Sequence, residues 1–319
     1  MTFQELEQAR AKYAKKLKIF IIIGLSLFAL SIILSLTGVF GFSGSSAFSK
    51  FNFFSSAISA LVMGVFILAI TAVIAVLVTH KDAKAYKALY KAYFVEQSLQ
   101  KTFTDLHYNH NEGMPKEVLK STGMIYTGDI YSSNDFTSGK YKDVAFSQAD
   151  VHIQEVTTDS DGNTQYQTIF KGRWLVFEFP KPFTFRLQVV EKWFGANMKP
   201  HKDKTTKRKI ERIHTESVEF DKRFKVYAED GFEAYYILDP AFISHIEDLD
   251  NSRKGKLMLC FIDNKLHVAL YDNKDMFEPP NPLKTLDEQA EFSKINQDIR
   301  AVTDYVDFLK LDRKLFHKQ

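Results

Sequence analysis

Hydrophobic positions along this chain change their spacing as the chain proceeds. From Ile19 to Phe40 and again from Ala57 to Val78 they are continuous, each run being 22 residues long without one charged side chain. A helix of that length rises about 33 Å, enough to cross a hydrocarbon core of roughly 30 Å. Apolarity all round the helix distinguishes such a run from the one-sided pattern of a helix packed on a soluble core. A cleaved signal peptide is the competing reading of the first run, but the apolar stretch exceeds the usual ~7–15 residues and no A-x-A-like site follows. The pair predicts an N-terminal two-helix transmembrane hairpin, whose backbone polar groups are satisfied within each helix, as lipid requires. Gly24, Ser31 and Gly38 recur at intervals of seven, a spacing of small residues that suits close helix approach in lipid; scattered, tolerated small residues are the competing reading.

Beyond the second run, residues 79–107 read as a continuing helix, with Lys81, Lys84, Lys87 and Lys91 on one face and Tyr86, Tyr90, Tyr93 and Phe94 on the rest. Asn111-Glu112-Gly113 breaks it, and Pro115 opens a short helix to Ser121. From Gly123 the period becomes two. Met124–Tyr131, Val151–Thr157, Thr164–Phe170, Arg173–Phe179 and Phe183–Val190 read as strands. Asp159-Ser160-Asp161-Gly162-Asn163 is a hairpin turn. Phe224–Glu229 and Phe232–Leu238 read as a second hairpin about Asp230-Gly231, and Lys256–Ile262 with Lys265–Tyr271 as a third. Asp239-Pro240 caps a helix to about Leu249. Thr285-Leu286-Asp287-Glu288 has the form of a capping box. It is followed by Phe292, Ile295, Ile299, Val302, Val306 and Leu309 at spacings of three and four, the stripe of a helix laid on a sheet. The fold class is α+β: the hairpin, then a mainly antiparallel-sheet domain with a C-terminal packing helix. The domains are a basic tail (1–18), the hairpin (19–78, with spans 19–40 and 57–78), a juxtamembrane helical linker (79–120) and a soluble domain (121–319). The last has strand sets near 121–197 and 210–319 that allow two subdomains.

Charge orients the hairpin. Arg10, Lys12, Lys15, Lys16 and Lys18 precede the first run, and Lys81, Lys84, Lys87 and Lys91 follow the second. The loop between them carries Lys50 alone. By the positive-inside rule both termini are cytoplasmic and the protein is a multi-pass inner-membrane protein. Neither run contains Asp, Glu, Lys, Arg or His, which argues against a transporter or channel built from this hairpin alone. The net charge of +3 is small and the basic surplus lies beside the spans, which suits anionic lipid and not nucleic acid. A single cysteine, Cys260, excludes an intrachain disulfide and a cysteine-based zinc site. A second basic run, Lys199–Lys209, holds six Lys or Arg in eleven residues. Its Lys202, Lys204, Lys207, Arg208 and Lys209 join Lys81, Lys84, Lys87 and Lys91 as candidates for contact with an anionic lipid surface; a solvated loop is the competing reading.

Catalytic chemistry finds little support. His107-Tyr108-Asn109-His110 spaces two histidines like metal ligands, but Glu112 is the only local third donor and no H-E-x-x-H occurs, so an exposed helix end is the better reading. Asp159, Asp161 and Asn163 lack the glycine and glutamate positions of a calcium loop. P-loop, G-x-G-x-x-G and G-x-S-x-G patterns are absent from the sequence. His152, His214, His245 and His267 read as structural. No catalytic residue, metal site or cofactor is assigned.

The series Tyr126-Thr127-Gly128-Asp129, Asp150-Val151-His152, Asp161-Gly162-Asn163-Thr164-Gln165, Thr168-Ile169-Phe170-Lys171-Gly172, Phe224-Lys225-Val226-Tyr227, Ile237-Leu238-Asp239-Pro240-Ala241 and Asp275-Met276-Phe277-Glu278-Pro279 resembles a bacterial family of two-span membrane proteins known only as a domain of unknown function. The resemblance implies a membrane anchor, a cytoplasmic domain without an accepted activity, and a LemA-type membrane protein as a partner. The expected function is therefore display of an interaction domain that binds a protein partner or the anionic membrane surface. A membrane-anchored enzyme with an unrecognised site and a subunit of a larger membrane complex are the alternatives.

Overall fold

The computed structural model describes residues 2–36, 49–192, 210–252 and 254–311. The chain divides into two compact units, residues 1–93 with 279–291, and residues 94–278 with 292–319.

The first unit is built on two long helices, α1 (Phe3–Leu36) and α2 (Ser49–Tyr90). Both are long and apolar enough to cross a membrane. They pack on each other where side chains are small. A Cβ added at Gly24 would sit 3.3 Å from Leu68 and Thr71 of α2, and one at Gly64 would sit 2.6 Å from the Phe28 ring and 3.0 Å from Ser31 Oγ. Gly24 and Ser31 thus share the packed face; Gly38 lies outside the described residues. Away from that face the large side chains point outward, with Phe66 62% and Leu77 72% exposed. A soluble helix pair buries such residues. At the base of α2, Lys12 and Lys16 of α1 converge on Asp82, at 3.2 and 2.5 Å. Tyr90 and Tyr93 donate to Glu291 and Glu288, each at 2.5 Å.

The second unit is a nine-stranded antiparallel sheet of order β1-β2-β3-β4-β9-β8-β5-β7-β6. Its strands are β1 (Thr104–Asn109), β2 (Ile130–Tyr141), β3 (Val144–Thr158), β4 (Thr164–Glu178), β5 (Leu187–Glu191), β6 (Glu211–Ile213), β7 (Phe224–Ala228), β8 (Lys256–Ile262) and β9 (Lys265–Tyr271). The strands of 121–197 and those of 210–319 join in this one sheet, because β4 pairs with β9 and β5 with both β8 and β7. Helix α3 (Glu96–Thr102) leads into β1, and α4 (Lys116–Thr122) covers one face of the sheet. Trp174, Val151, Ile153, Phe170, Met258 and Cys260 pack there with Leu119 of α4. The other face carries α7 (Pro240–Asn251) and α8 (Glu288–Phe308). Phe242 of α7 meets Phe261, and Tyr305 of α8 meets Phe177. The central strands β5, β8 and β9 are thus buried on both sides, and this is why Leu257–Phe261 is a continuous apolar run with no alternation.

Several expectations need correction. The helix expected over 79–107 ends at Thr102 after a π turn at Lys91–Val95, and Thr104 begins a strand. The strand expected at Met124–Tyr131 begins only at Ile130 and runs on to Tyr141. Residues 164–170 and 173–179 form one strand, continuous through Gly172, where a Cβ would lie 2.1 Å from Leu270 O of β9. The hairpin expected about Asp230-Gly231 does not form. Asp230 caps a helix, α6 (Gly231–Ile237), accepting from Phe232 N and Glu233 N at 2.9 and 3.2 Å. Before it, Ser217 caps α5 (Val218–Arg223). The cap of α8 is Asp287, which accepts from Ala290 N at 3.0 Å, in place of Thr285.

Candidate functional site

Of the expected lipid-surface lysines, Lys81 and Lys84 are exposed and Lys87 is half-buried. Lys91 is fully buried at the start of the π turn, which removes it from any surface. Lys202, Lys204, Lys207, Arg208 and Lys209 lie outside the described residues.

The histidines are held in local structure. His107 and His110 sit on β1 and the turn after it, not at a helix end, and His107 Nε2 lies 3.1 Å from Glu112, whose carboxylate it holds below the usual range together with Asn109. Among the described residues no three His, Cys, Asp or Glu side chains group as metal ligands. His267 is buried and accepts from Trp174 Nε1 at 3.3 Å. Burial, aided by Lys265, pushes its pKa down to about 3 and keeps it neutral. Burial likewise raises the Cys260 thiol to about 12, leaving it inert. The Asp159 carboxylate turns onto its own hairpin, accepting from Asn163 N at 2.8 Å and Asp161 N at 3.0 Å. Those bonds hold it ionised to shape the turn.

One polar cluster in the sheet was not anticipated. A bulge in β2 places Asp135 in the left-handed region (φ 58°) and turns its buried carboxylate inward. There it accepts from Tyr108 Oη at 2.8 Å and Asn134 Nδ2 at 2.6 Å. Asp150 on β3 is buried nearby, with Oδ2 accepting from Met276 N at 2.5 Å. Burial, and then the charge of Asp135, raise its pKa well above the usual carboxylate range. Its cross-strand neighbour Arg173 is 3.5 Å from Asp272 and donates to Asp298 O at 3.1 Å. This network ties β1, β2, β3 and β4 to the 272–276 segment and α8. The enclosed Asp150 carboxyl serves the fold as a hydrogen-bond acceptor for the Met276 amide. A shallow cleft of about 220 Å³ opens elsewhere, between Phe183, Arg186, Glu229 and Asp263, without lining from Asp135 or Asp150.

The most exposed apolar feature of the second unit is α6. As a strand it would have alternated. As a helix it buries Ala234 and Ile237 and turns Phe232, Tyr235 and Tyr236 to one outer face, at 85, 47 and 63% exposure. The neighbouring loop is firmly held. Asp221 accepts from Thr215 N, Thr215 Oγ1 and His214 Nδ1 at 2.9–3.1 Å, and Tyr235 Oη donates to His214 O at 2.8 Å. Val218 at the start of α5 is also exposed. Three aromatic side chains thus share one exposed face of a helix on a braced support.

Comparison with known proteins finds one family model that matches part of the chain. Residues 168–311 match the family model described as "Protein of unknown function (DUF3137)". The match begins within β4 and takes in β5 to β9 and α5 to α8, leaving the long helices and β1 to β3 outside it. It agrees with the uncharacterised family that the sequence resembles. No curated protein matches the chain. Among solved structures, the crystal structure of the mycobacterial trehalose monomycolate transport factor A, TtfA, is similar at 10% identity and a TM-score of 0.38, covering 70% of this chain and 94% of that one. A likeness at that score supports no argument about this chain.

Proposed function

We propose that the protein is anchored in the cytoplasmic membrane by α1 and α2, with both termini in the cytoplasm, and that its α+β domain binds a protein partner there through the aromatic face of α6. The anchor is supported by outward-facing apolar side chains on both helices, which lose unfavourable contact with water only in lipid. The lysine bias on the two flanks supports the orientation. The observation that carries the binding role is the exposure of Phe232, Tyr235 and Tyr236 on a capped, braced helix. Aromatic residues are enriched among those that dominate binding energy at protein interfaces. A membrane-protein partner of LemA type, implied by the resemblance of the sequence, is the first to test. The basic run 199–209 favours a second reading, contact with anionic lipid.

A photoreactive phenylalanine analogue at position 232, in the full chain in native membranes, distinguishes the two. The expected product is a discrete protein adduct, absent when the probe replaces Tyr166, which is also exposed, on β4. Adducts to lipid alone would establish the second reading. Indistinguishable products from both positions would remove α6 as the binding face.

A further inference from the structure

A groove of about 360 Å³ lies in the first unit, between the N-terminal half of α1 and the segment around Leu283. Its chemistry is divided along its length. Lys15 and Lys18, one turn apart on α1, line it together with Thr285 and Leu283. Ile19 and Ile22 continue it along the helix into the apolar run that begins at Ile19. Ala11 and Ala14 supply the room.

Among the described residues the only other charged lining residue is Arg10, and it is already committed. It pairs with Glu7 at 2.6 Å and donates to Pro282 O at 2.5 Å, fixing the 282–285 segment against α1 as one wall of the groove. Lys15 and Lys18 are different. Both are exposed, and neither has an ion-pair partner among the described residues, whereas Lys12 and Lys16 on another side of the same helix share Asp82 as their ion-pair partner. Among the described residues no acidic side chain lines the groove. Its occupant is therefore anionic at one end and apolar at the other.

We infer that this groove binds one anionic phospholipid of the leaflet that α1 enters, with the headgroup phosphate between Lys15, Lys18 and Thr285 and an acyl chain along Ile19 and Ile22. The inference rests on the membrane reading above. Without a bilayer the apolar end has no reason to be filled. Charge complementarity favours an anionic over a zwitterionic headgroup, and the continuity of the groove with the apolar run favours a lipid over free phosphate. A bound lipid would join α1 to the 282–285 segment, giving the anchor a lipid-dependent contact with the stretch leading into α8.

Native mass spectrometry of the full chain, released from detergent and titrated with phosphatidylglycerol, tests this. The expected result is a single 1:1 adduct, not reproduced by phosphatidylcholine and not displaced by inorganic phosphate in excess. Replacing both groove lysines (K15Q with K18Q) should weaken it about 30-fold, two basic contacts at ~1 kcal/mol each. Removing the same charge at Lys81 and Lys84 should leave it within about twofold, a separation of effects that diffuse attraction to a basic collar would not give. Equal losses from the two pairs, equal binding of both lipids, or displacement by phosphate would each overturn the site. Extraction of the chain by alkaline carbonate would overturn the anchor itself, whereas a carbonate-resistant chain without the adduct would overturn only the groove.

Discussion

Leu77 on α2 and Leu175 on β4 are the same residue in opposite surroundings: the first is 72% exposed and the second fully buried. The contrast extends to their neighbours. Along the helix pair the large apolar side chains face outward, and close packing falls to Gly24, Ser31 and Gly64. In the sheet the large side chains face inward on both sides, and the outer positions are polar except on α5 and α6 and at a few scattered sites. One unit is turned inside out relative to the other. The simplest physical cause is that the two are stable in different solvents, since burial of apolar area drives folding only where water is the alternative.

Substitution at matched positions should separate the units. Trp174→Ala deletes the largest side chain in the α4-side core and should cost about 3–5 kcal/mol, seen as an early loss of sheet signal on heating in detergent, with carbonate-resistant membrane association unchanged. Phe66→Asp should do the reverse, at about 2.5–3.5 kcal/mol against insertion if position 66 lies near the centre of the span. It should release the chain from the membrane and leave the melt of the sheet where it was. If Phe66→Asp lowers the melt and leaves association intact, the helix pair is packed on protein and the contrast is false.

The Asp150 network sharpens the picture on the buried side. Asp150→Ala strips the Met276 amide of its acceptor in a closed site and should cost about 1–3 kcal/mol. Asp150→Asn retains an acceptor and should cost little. Their pH profiles differ in a defined sense. Burial, followed by the Asp135 charge, raises the carboxyl in the folded chain, while in the unfolded chain it titrates near 4. Between those values the folded state keeps a proton that the unfolded state has lost. The contribution is full below about pH 4 and declines as pH rises through the folded pKa. Melting temperature against pH should show this decline in the parent and not in Asp150→Asn; parallel curves would mean that the carboxyl is ionised in the fold.

The smallest effect is expected on α6, where the second unit departs from its own rule by exposing aromatic side chains. Asp230→Ala removes the cap and should cost about 1 kcal/mol, mainly as fraying of α6, with amide exchange at Phe232 and Glu233 roughly fivefold faster. Crosslinking from position 232 should fall with it if the face must be helical to bind.

The legible parts of the fold were those in which local pattern and tertiary position agree. The apolar runs, the β8–β9 hairpin, the Asp159–Asn163 turn, the α7 cap and the α8 stripe all have this property. The part of β2 beyond Tyr131 is not legible because Ser132-Ser133-Asn134-Asp135 and Ser138-Gly139-Lys140 have neither alternation nor β-branching; the strand pairs on both edges and accommodates a bulge. The segment after Asp230 was misread because Asp-Gly followed by Phe, Tyr, Tyr and Ile has the composition of a hairpin. The cap on Phe232 N and Glu233 N and the burial of Ala234 and Ile237 together override that preference. The aromatic face was hidden by the same error, since strand spacing would put Tyr235 and Phe232 on opposite sides. The closeness of Asp135 to Asp150 brings together residues of two strands at a bulge, and no spacing in one strand announces it.

The strand order also sets a schedule for the growing chain. Strand β4 exists once Glu178 has left the ribosome, yet the strand that covers its open edge, β9, is finished only at Tyr271. At ~5–20 residues per second that edge waits roughly 5–20 s for its partner. An unpaired strand rich in Trp, Leu, Val and Phe is a template for another chain to add to during that wait. Helices that emerge first and enter a bilayer would fix each nascent chain in place while the sheet is incomplete, so that translation order, and not only final stability, favours an anchor at the N-terminal end.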